Sequence, residues 1–458
     1  MVKHSLFLTL VLMLLIVSWS AAQNFSPVDR TIDNLPPKSD NTTAKSADGY
    51  YDGTMRIFIV EPTSRYYDRN GTNYDYGFLD FALILPIGLN DGEIFANSAY
   101  YNGATSGFGS ISEDNIMAQT VIFSGEYNLG DAYPNNGVWF AAYYADAAAE
   151  ATPFIPGKNE TAPGFTHTVF LEEASANYCP YCPTTRQELH NLKNNNDYPF
   201  VYTAMIGDKN ATAYSRLTGE YNFYAYPSCF YDGGQYVYVG AYSGQTGYES
   251  RLKAAGQRDV PVLNLVTRVV WLGDAQLTVY YRLGNNVSVN AAPTVGTPTG
   301  DGQAFPDVSY QLTANASDLD ADDVYYQFAF GNGDTTVWLG PYSAGVDCQI
   351  NNTWTEQGMY DVTVRSKDVW GYETDWSAAF ALTVGCCNGM RGNIDGDSEN
   401  IIDIADLVFM VDYQFRGGDS PECFDAADLN DDAIIDIEDL VYMVDYQFRN
   451  GDAPLSCF

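Results

Sequence analysis

The spacing of apolar and polar positions changes character several times along this chain. Residues 6–19 are an almost unbroken apolar run, preceded by Lys3 and His4 and followed by the small residues Ser20, Ala21 and Ala22. That pattern is an export signal with its cleavage site, and the run is shorter than the roughly 20 apolar residues a membrane span needs. Residues 1–22 are therefore expected to be absent from the mature protein. Residues 23–50 are polar and rich in Pro, Asn and Ser, which predicts a flexible leader. From 51 to 152, short apolar runs at 55–60, 78–85, 120–123 and 138–144 are separated by Gly, Asn and Asp turns, the signature of a β-sandwich.

A Pro- and Gly-bearing linker at 153–164 is followed by a change of period. Strand-like runs at 167–173 and 199–206 alternate with helical patterns at 183–194 and 212–221. Two strands then flank Asp232-Gly233-Gly234, and a last helix is expected at 248–257. This alternation predicts a mixed sheet with helices on its faces over 165–258. Residues 259–290 contain two more strand-like runs, 265–272 and 276–283, read as a β extension or linker. Strands return between 291 and 384, at 308–314, 324–330, 360–365 and 380–384, and predict a second sandwich. The chain ends in a duplication: residues 401–416 recur almost unchanged at 434–449. The fold class expected is multidomain, mainly β, with one α/β domain and a small α-helical unit built on the duplication.

Charge narrows the function. The 58 acidic against 22 basic residues give a formal net charge of −36, a field that repels nucleic acid and anionic lipid. It suits an exported protein that binds cations. After the signal, no stretch is long and apolar enough to cross a membrane, so the expected location is secreted or at the cell surface. An aromatic content of 15 %, with 36 Tyr, fits β-rich extracellular modules.

Ahead of each repeated helix lies a run of hard oxygen donors. In the second copy Asp428, Asn430, Asp432, Asp436 and Asp439 occupy loop positions one, three, five, nine and twelve. The first copy offers Asn393, Asp395, Asp397, Asp403 and Asp406, with two extra residues after Asp397. Calcium takes six to eight oxygen ligands, and alternate positions on a tight loop point several carboxylates inward. About two calcium sites are expected. The duplicated unit, over about 388–452 within a domain of 386–458, resembles a type I dockerin. The insertion in loop one and Ala433, where an EF-hand prefers Gly, are departures from that pattern. The resemblance implies docking to a cohesin-like or other protein partner; a calcium-stiffened terminal domain without such a partner is the alternative. Cys386 and Cys387, which adjacent placement keeps from pairing with each other, are expected to bridge to Cys423 and Cys457.

The α/β segment carries Cys179-Pro180-Tyr181-Cys182 where a strand meets a helix start. Free N–H groups and the helix dipole there stabilise a thiolate on the first cysteine, and the second lies one turn on. Two residues of separation at a helix start bring the sulfurs within bonding distance, so Cys179–Cys182 is expected to form a bridge. With Ala225-Tyr226-Pro227-Ser228 downstream, residues 165–258 resemble thioredoxin-like domains. That resemblance implies Cys179 as attacking thiol, Cys182 as resolving thiol and Pro227 as a cis-proline facing them. It also implies a buried acid at Glu173, six residues before Cys179, with Glu172 as the alternative. The Trp-Cys-Gly-Pro-Cys pattern of thioredoxins proper is absent. A permanently oxidised staple is the competing reading, and a zinc site drawing on Cys229 and His190 a minor one. Cys229 and Cys348 remain, as free thiols or as one interdomain bridge.

Finally, Ser317 to Asp323, Phe328 to Asp334 and Trp354 to Val364 resemble a polycystic-kidney-disease-type (PKD) sandwich over about 291–384, which implies a spacer or carbohydrate-contacting role. Asp318, Asp320 and Asp322 there form either another calcium site or a solvated turn. Two functions follow from the whole. One is a secreted thiol–disulfide oxidoreductase anchored by its calcium unit. The other is a non-enzymatic surface, adhesion or assembly protein, including a filament-forming one that self-assembles.

Overall fold

The computed structural model describes residues 49–133, 137–385, 391–395, 401–432 and 434–455. The export signal, most of the leader, Asp397, Cys386, Cys387 and Cys457 lie outside the described residues. The chain divides into two compact units, Met1–Val289 and Asn290–Phe458.

In the first unit, strands β1 (Tyr51–Tyr67), β2 (Asn73–Leu89), β3 (Ile94–Asn102), β4 (Met117–Asp131), β5 (Trp139–Ala151) and β6 (Gly157–Lys158) precede the α/β segment. That segment runs β7 (Val169–Ser175), α1 (Cys182–Asn195), β8 (Phe200–Ile206), α2 (Ala211–Gly219), β9 (Ser228–Tyr231), β10 (Tyr236–Val239) and α3 (Thr246–Gly256). Strands β11 (Leu263–Gly273) and β12 (Gln276–Asn285) close the unit. Strands β7 and β8 are parallel, while β9 runs antiparallel to both β7 and β10.

The sequence reading placed 51–152 and 165–258 in separate domains, but one sheet runs through both. Its order is β10-β9-β7-β8-β2-β1-β4-β5, and β8 meets β2 in parallel through Ala204 and Gly77. The expected first sandwich draws its second layer largely from beyond the α/β segment, in the order β3-β12-β11-β6. The physical reason is pairing: 51–152 supplies only β3 and no partner for it, and β12 provides that partner along its whole length. The expected extension at 259–290 is thus an integral layer. At the junction Gln119 of β4 donates to the Tyr202 carbonyl at 2.8 Å and accepts from the Thr203 hydroxyl. Gly77 is needed there, since a Cβ would fall 2.0 Å from Ser64 Oγ.

Alternation assigns each face of this sheet to a different core. Met55, Ile57 and Ile59 pack on Leu265, Leu277 and Leu283 of the second layer. Phe58, Val60 and Phe78 turn the other way, onto Phe170, Met205 and Leu217. Leu171, Tyr202 and Tyr231 pack under Leu189 of α1 and Leu252 of α3. Strands β7 and β8 are covered on both faces and every residue in them is buried, so neither shows the alternation of a half-exposed strand, and the polar residues Glu172, Glu173 and Ser175 of β7 lie inside. The Asp232-Gly233-Gly234 turn is fixed by Asp232, whose Oδ1 accepts the Phe170 N–H (2.9 Å) and whose Oδ2 meets His167 Nε2 (2.8 Å).

The second unit holds a sandwich and the duplicated helices. Gln303–Ala304, Phe380–Val384, Gly358–Asp368, Val324–Ala329 and Leu339–Tyr342 form one sheet in that order, and Tyr310–Ala314 pairs with Cys348–Asn352. Trp354, 2 % exposed, centres this core and donates to the Phe330 carbonyl at 3.2 Å. Helices α4 (Ile404–Arg416), α5 (Phe424–Ala427) and α6 (Ile437–Arg449) follow. They share a core of Ile394, Met410, Leu429 and Met443.

Glu172 on β7 is wholly buried and ion-paired to Arg216 of α2, with Nε–Oε1 at 2.6 Å and Nη2–Oε2 at 2.7 Å; the Tyr221 hydroxyl also donates to it. Arg216 further bonds Glu220 (2.8 Å), which holds Arg56 of β1 (2.9 Å). Removing one partner of a buried pair strands the other charge in a low-dielectric interior. Arg216→Met should therefore cost the first unit about 3–5 kcal/mol in urea unfolding, and Glu172→Leu added to it should recover much of that loss. A loss no larger than a surface substitution would show that the pair is dispensable.

Candidate functional site

Strand β7 ends at Ser175, and the chain crosses from it to α1 through residues 176–181. This crossing is held from three sides. The Cys179 N–H bonds the Ala176 carbonyl (3.1 Å), the Asn177 N–H bonds Asp208 Oδ1 (2.9 Å), and the Tyr74 hydroxyl reaches the Ala176 carbonyl (3.3 Å) while accepting from Ser175 Oγ (3.0 Å). Cys182 opens α1, with Pro183 in its first turn where no N–H is needed. Cys179 and Cys182 form a disulfide with Cα atoms 5.5 Å apart, and the Cys182 N–H points at Cys179 Sγ (3.1 Å). Both cysteines are buried, at 2 % and 0 % exposure.

The Tyr226–Pro227 peptide bond is cis, and Tyr226 packs against the disulfide. Tyr178 stands edge-on to Tyr226, and Tyr178 and Tyr181 are exposed at the rim. The structure thus brings Cys179, Cys182 and the residue before Pro227 together.

Strand alternation separates the two acids. Glu172 faces α2 and is neutralised by Arg216. Glu173 shares its face with Leu171, toward α1 and α3, and is wholly buried. It receives a hydrogen bond from the Tyr202 hydroxyl, while its Oε1 has no hydrogen-bond partner. Burial pushes its carboxyl up from 4.5 to about 7, against the smaller opposing effects of the Tyr202 and Ser175 hydroxyls and of Arg186. Cys229 lies opposite Glu173 in the register of β7 and β9, is a free thiol, and is held well above its ordinary pKa by burial. Cys348, in the other unit, is also free and buried.

His190 is committed elsewhere. Its Nδ1 meets Asp75 (2.8 Å) and its Nε2 meets Asn194 (2.8 Å). Among the described residues no cysteine–histidine cluster has metal-ligand geometry. Tyr74 and Tyr202 escaped the sequence reading. Tyr74 sits on β2, about a hundred residues before the cysteines it supports, and nothing in its neighbourhood marks it apart from an alternating strand.

In the helical unit the backbone bonds of Asp406 and Asp439 repeat each other atom for atom. Asp406 and Asp439 are both wholly buried. Asp406 Oδ1 accepts the Ile394 and Asp395 N–H groups and its Oδ2 the Asp403 N–H. Asp439 Oδ1 accepts Leu429 and Asn430, and its Oδ2 accepts Asp436. Asp403 and Asp436 cap α4 and α6. Asp428 is buried, and its Oδ1 accepts the Asp432 N–H (3.1 Å). Asn393 and Asp395 enter loop one beside these bonds, while Asn430 and Asp432 bond each other at 3.0 Å. Cys423 is disulfide-bonded. In the sandwich, carboxylate oxygens of Asp318, Asp320 and Asp322 lie within 4.8 Å of one another, and Asp318 Oδ1 accepts the N–H groups of the other two.

Residues 299–378 match the family model of the PKD domain. The PKD domain of an M14-like peptidase from Thermoplasmatales archaeon SCGC AB-540-F20 is similar at 29 % identity, covering 21 % of this chain and 98 % of that one, with a TM-score of 0.19. The CARDB domain of PF1109 from Pyrococcus furiosus, solved in complex with di-metal ions, is similar at 15 % identity, covering 21 % of this chain and 90 % of that one, with a TM-score of 0.17. No curated protein matches the chain, and no helix among the described residues is long and apolar enough to cross a membrane. What the matches establish is a PKD domain at 299–378 within a mainly β, multidomain chain.

Proposed function

We propose that this is a secreted thiol–disulfide exchange protein with a thioredoxin-like centre, carried on extracellular β-modules and anchored by a calcium-loaded, dockerin-like end. The observation that carries this reading is the Cys179–Cys182 bridge closed across the first turn of α1, with the helix N–H directed at Cys179 Sγ. That contact favours the thiolate when the bridge opens. A substrate thiolate attacking Cys179 Sγ breaks the bond to Cys182, whose sulfur leaves with the electron pair and takes a proton. A second substrate thiolate then attacks the substrate sulfur, forming the substrate disulfide and expelling Cys179 as thiolate. Two electrons pass from the substrate dithiol to the cysteine pair. Glu173, its carboxyl raised to about 7, suits proton transfer for Cys182. Pro227 shapes the approach to Cys179.

The calcium reading rests on the donor chemistry. Asn393, Asp395, Asp397, Asp403 and Asp406 would hold one ion, and Asp428, Asn430, Asp432, Asp436 and Asp439 a second. A bound ion would add positive charge among these carboxylates, where Arg391 already lies 3.9 Å from Asp428 Oδ2. Ile404, Val408 and Phe415 on α4 and Ile437, Val441 and Phe448 on α6 are exposed apolar residues. They suit docking of a cohesin-like or other protein partner. The burial of both cysteines, together with the PKD domain, favours a second reading: a non-enzymatic adhesion or assembly protein whose bridge is inert.

Mild dithiothreitol treatment without denaturant separates the two. Exchange chemistry expects both thiols to become alkylatable, Cys179 first and faster than an unstructured thiol. It also expects the Cys182→Ser variant to accumulate a mixed disulfide with a model disulfide peptide. A bridge that stays closed until the protein unfolds assigns the scaffold role.

Glu173 makes a separate prediction. Its carboxyl titrates at about 7 when folded against 4.5 when unfolded, so the folded state holds the extra proton between those values. Stability from this group is complete below pH 4.5 and is lost as pH rises through 7, on the order of 3 kcal/mol in all. Glu173→Gln should flatten urea-unfolding stability of the first unit across pH 5–8 and slow opening of the bridge. Identical pH slopes in both proteins would remove Glu173 from this role.

Chelation tests the calcium loops. Excess EDTA should shift a thermal transition of the second unit down by many degrees in scanning calorimetry and leave that of the first unit in place. Superimposable traces with calcium and with chelator would exclude structural calcium.

A further inference from the structure

Asn-x-Ser/Thr triplets recur along this chain, and those on described residues begin at Asn70, Asn159, Asn210, Asn286, Asn315 and Asn351. Such a triplet is an acceptor for an N-linked glycan where an exported chain presents it on a surface loop. The Asn amide nitrogen must then be free to bond a sugar. The fold sorts these candidates. Asn210 is 5 % exposed; its Nδ2 donates to the carbonyls of Phe78 (3.0 Å) and Leu79 (2.7 Å), and its Oδ1 caps α2 at the Ala213 N–H. Asn159 Nδ2 is spent on the Leu263 carbonyl (3.1 Å), and its Oδ1 accepts the Thr168 N–H. Asn315 Nδ2 donates to the Gly345 carbonyl and to Asp347 Oδ1, each at 2.8 Å. Asn286 Nδ2 holds Asp91 Oδ1 (2.9 Å). Asn351 is exposed, but it lies within a strand whose backbone is paired with Tyr310–Ala314.

Asn70 is different. It stands at the tip of the hairpin between β1 and β2, where Asn70, Gly71 and Thr72 are all exposed. Asp68, 1 % exposed, builds this turn. Its Oδ1 accepts the N–H groups of Asn70 (2.8 Å) and Thr72 (3.0 Å), and its Oδ2 holds Arg186 of α1 (3.1 Å). The turn is thereby satisfied through its backbone, and the side chains of Asn70 and Thr72 make no hydrogen bond to any described residue. Gly71 has a φ of +83°, and a Cβ added to it would meet nothing within 4 Å, so the tip projects into open space.

We propose that Asn70 is an N-glycan attachment site of the exported chain, with Thr72 as the hydroxyl that the transferring enzyme reads. The donor is of the polyprenyl-pyrophosphate oligosaccharide class. The Asn70 amide nitrogen bonds the anomeric carbon of the first sugar and loses a proton. The bond from that carbon to the pyrophosphate oxygen breaks, and the lipid pyrophosphate leaves with the electron pair. The site needs export, and it rests on neither the thiol nor the calcium reading above. A glycan at Asn70 displaces no hydrogen bond of that side chain, whereas one at Asn210 would take the donor from two carbonyls of β2.

The test offers folded, unglycosylated full chain to a single-subunit oligosaccharyltransferase with its lipid-linked oligosaccharide. Peptide mapping by mass spectrometry then reads the occupancy of each described triplet. Asn70 should be filled well ahead of Asn159, Asn210, Asn286, Asn315 and Asn351. Asn210 is the matched control, because Asp208-Lys209-Asn210-Ala211-Thr212 repeats the residue types of Asp68-Arg69-Asn70-Gly71-Thr72. A difference between these two triplets therefore comes from the fold. Thr72→Ala should abolish transfer to Asn70, and Thr72→Ser should retain it. Both variants keep the backbone N–H that Asp68 binds, and an unchanged melting temperature shows that the hairpin is intact. No transfer to Asn70, or equal occupancy at any of the other described triplets, overturns the proposal. Transfer to Asn70 that survives Thr72→Ala overturns it as well.

Discussion

Two carboxylates on consecutive positions of one buried strand set the terms for the first unit. Adjacent residues of β7 face opposite sides of the sheet, so Glu172 and Glu173 cannot share a countercharge. Glu172 has a full complement: Arg216 in two bonds, Tyr221 in a third. Arg216 in turn lies over the rings of Phe58, Phe123 and Tyr221 and reaches Arg56 through Glu220. One pair therefore draws α2, β7, β1 and β4 together. Glu173 accepts the Tyr202 hydroxyl but has no ion pair, and burial raises its carboxyl to about 7. The asymmetry gives Glu172 an ion pair and leaves Glu173 with a carboxyl raised by burial.

The α/β segment is built into a larger sheet, and strands outside it supply its supports. The crossing that carries Cys179 is held by Tyr74 from β2 and by Asp208 after β8, and Tyr202, whose hydroxyl donates to Glu173, comes from the strand that β2 extends. Precise placement of a reactive group needs support from rigid neighbours. Here the neighbours come from strands that the chain lays down well before the cysteines. In the second unit the duplicated helices pack a single core, and Gln414 and Gln447 each donate to the helix-cap carbonyl of the other copy.

Much of this was legible in the residues. The expected helix at 183–194 is observed at Cys182–Asn195, the strand at 199–206 at Phe200–Ile206, and the helix at 212–221 at Ala211–Gly219. The Cys179–Cys182 bridge was also anticipated from spacing, while the cis bond at Pro227 followed from the resemblance and free thiols were one of two alternatives for Cys229 and Cys348. These are local features, set by turn residues, helix starts and spacing within a dozen positions. The PKD domain was legible for the same reason, since its strands and turns follow one another in order.

What sequence alone determined, then, was element type, loop chemistry and the order of modules, because those depend on neighbours along the chain. Only the tertiary structure decided which strands share a sheet. The boundary expected at 153–164 dissolved because β8 pairs with β2 and because β12, near residue 280, completes a layer begun by β3 near residue 98. Register between strands so far apart is chosen by burial of both faces, and no local pattern encodes it. The same holds for the two acids. The resemblance named Glu173 with Glu172 as the alternative, and the fold separated them by placing Arg216 on one side of β7 and Tyr202 on the other. A carboxyl's protonation follows from what surrounds it in space, and that is settled only when the sheet closes.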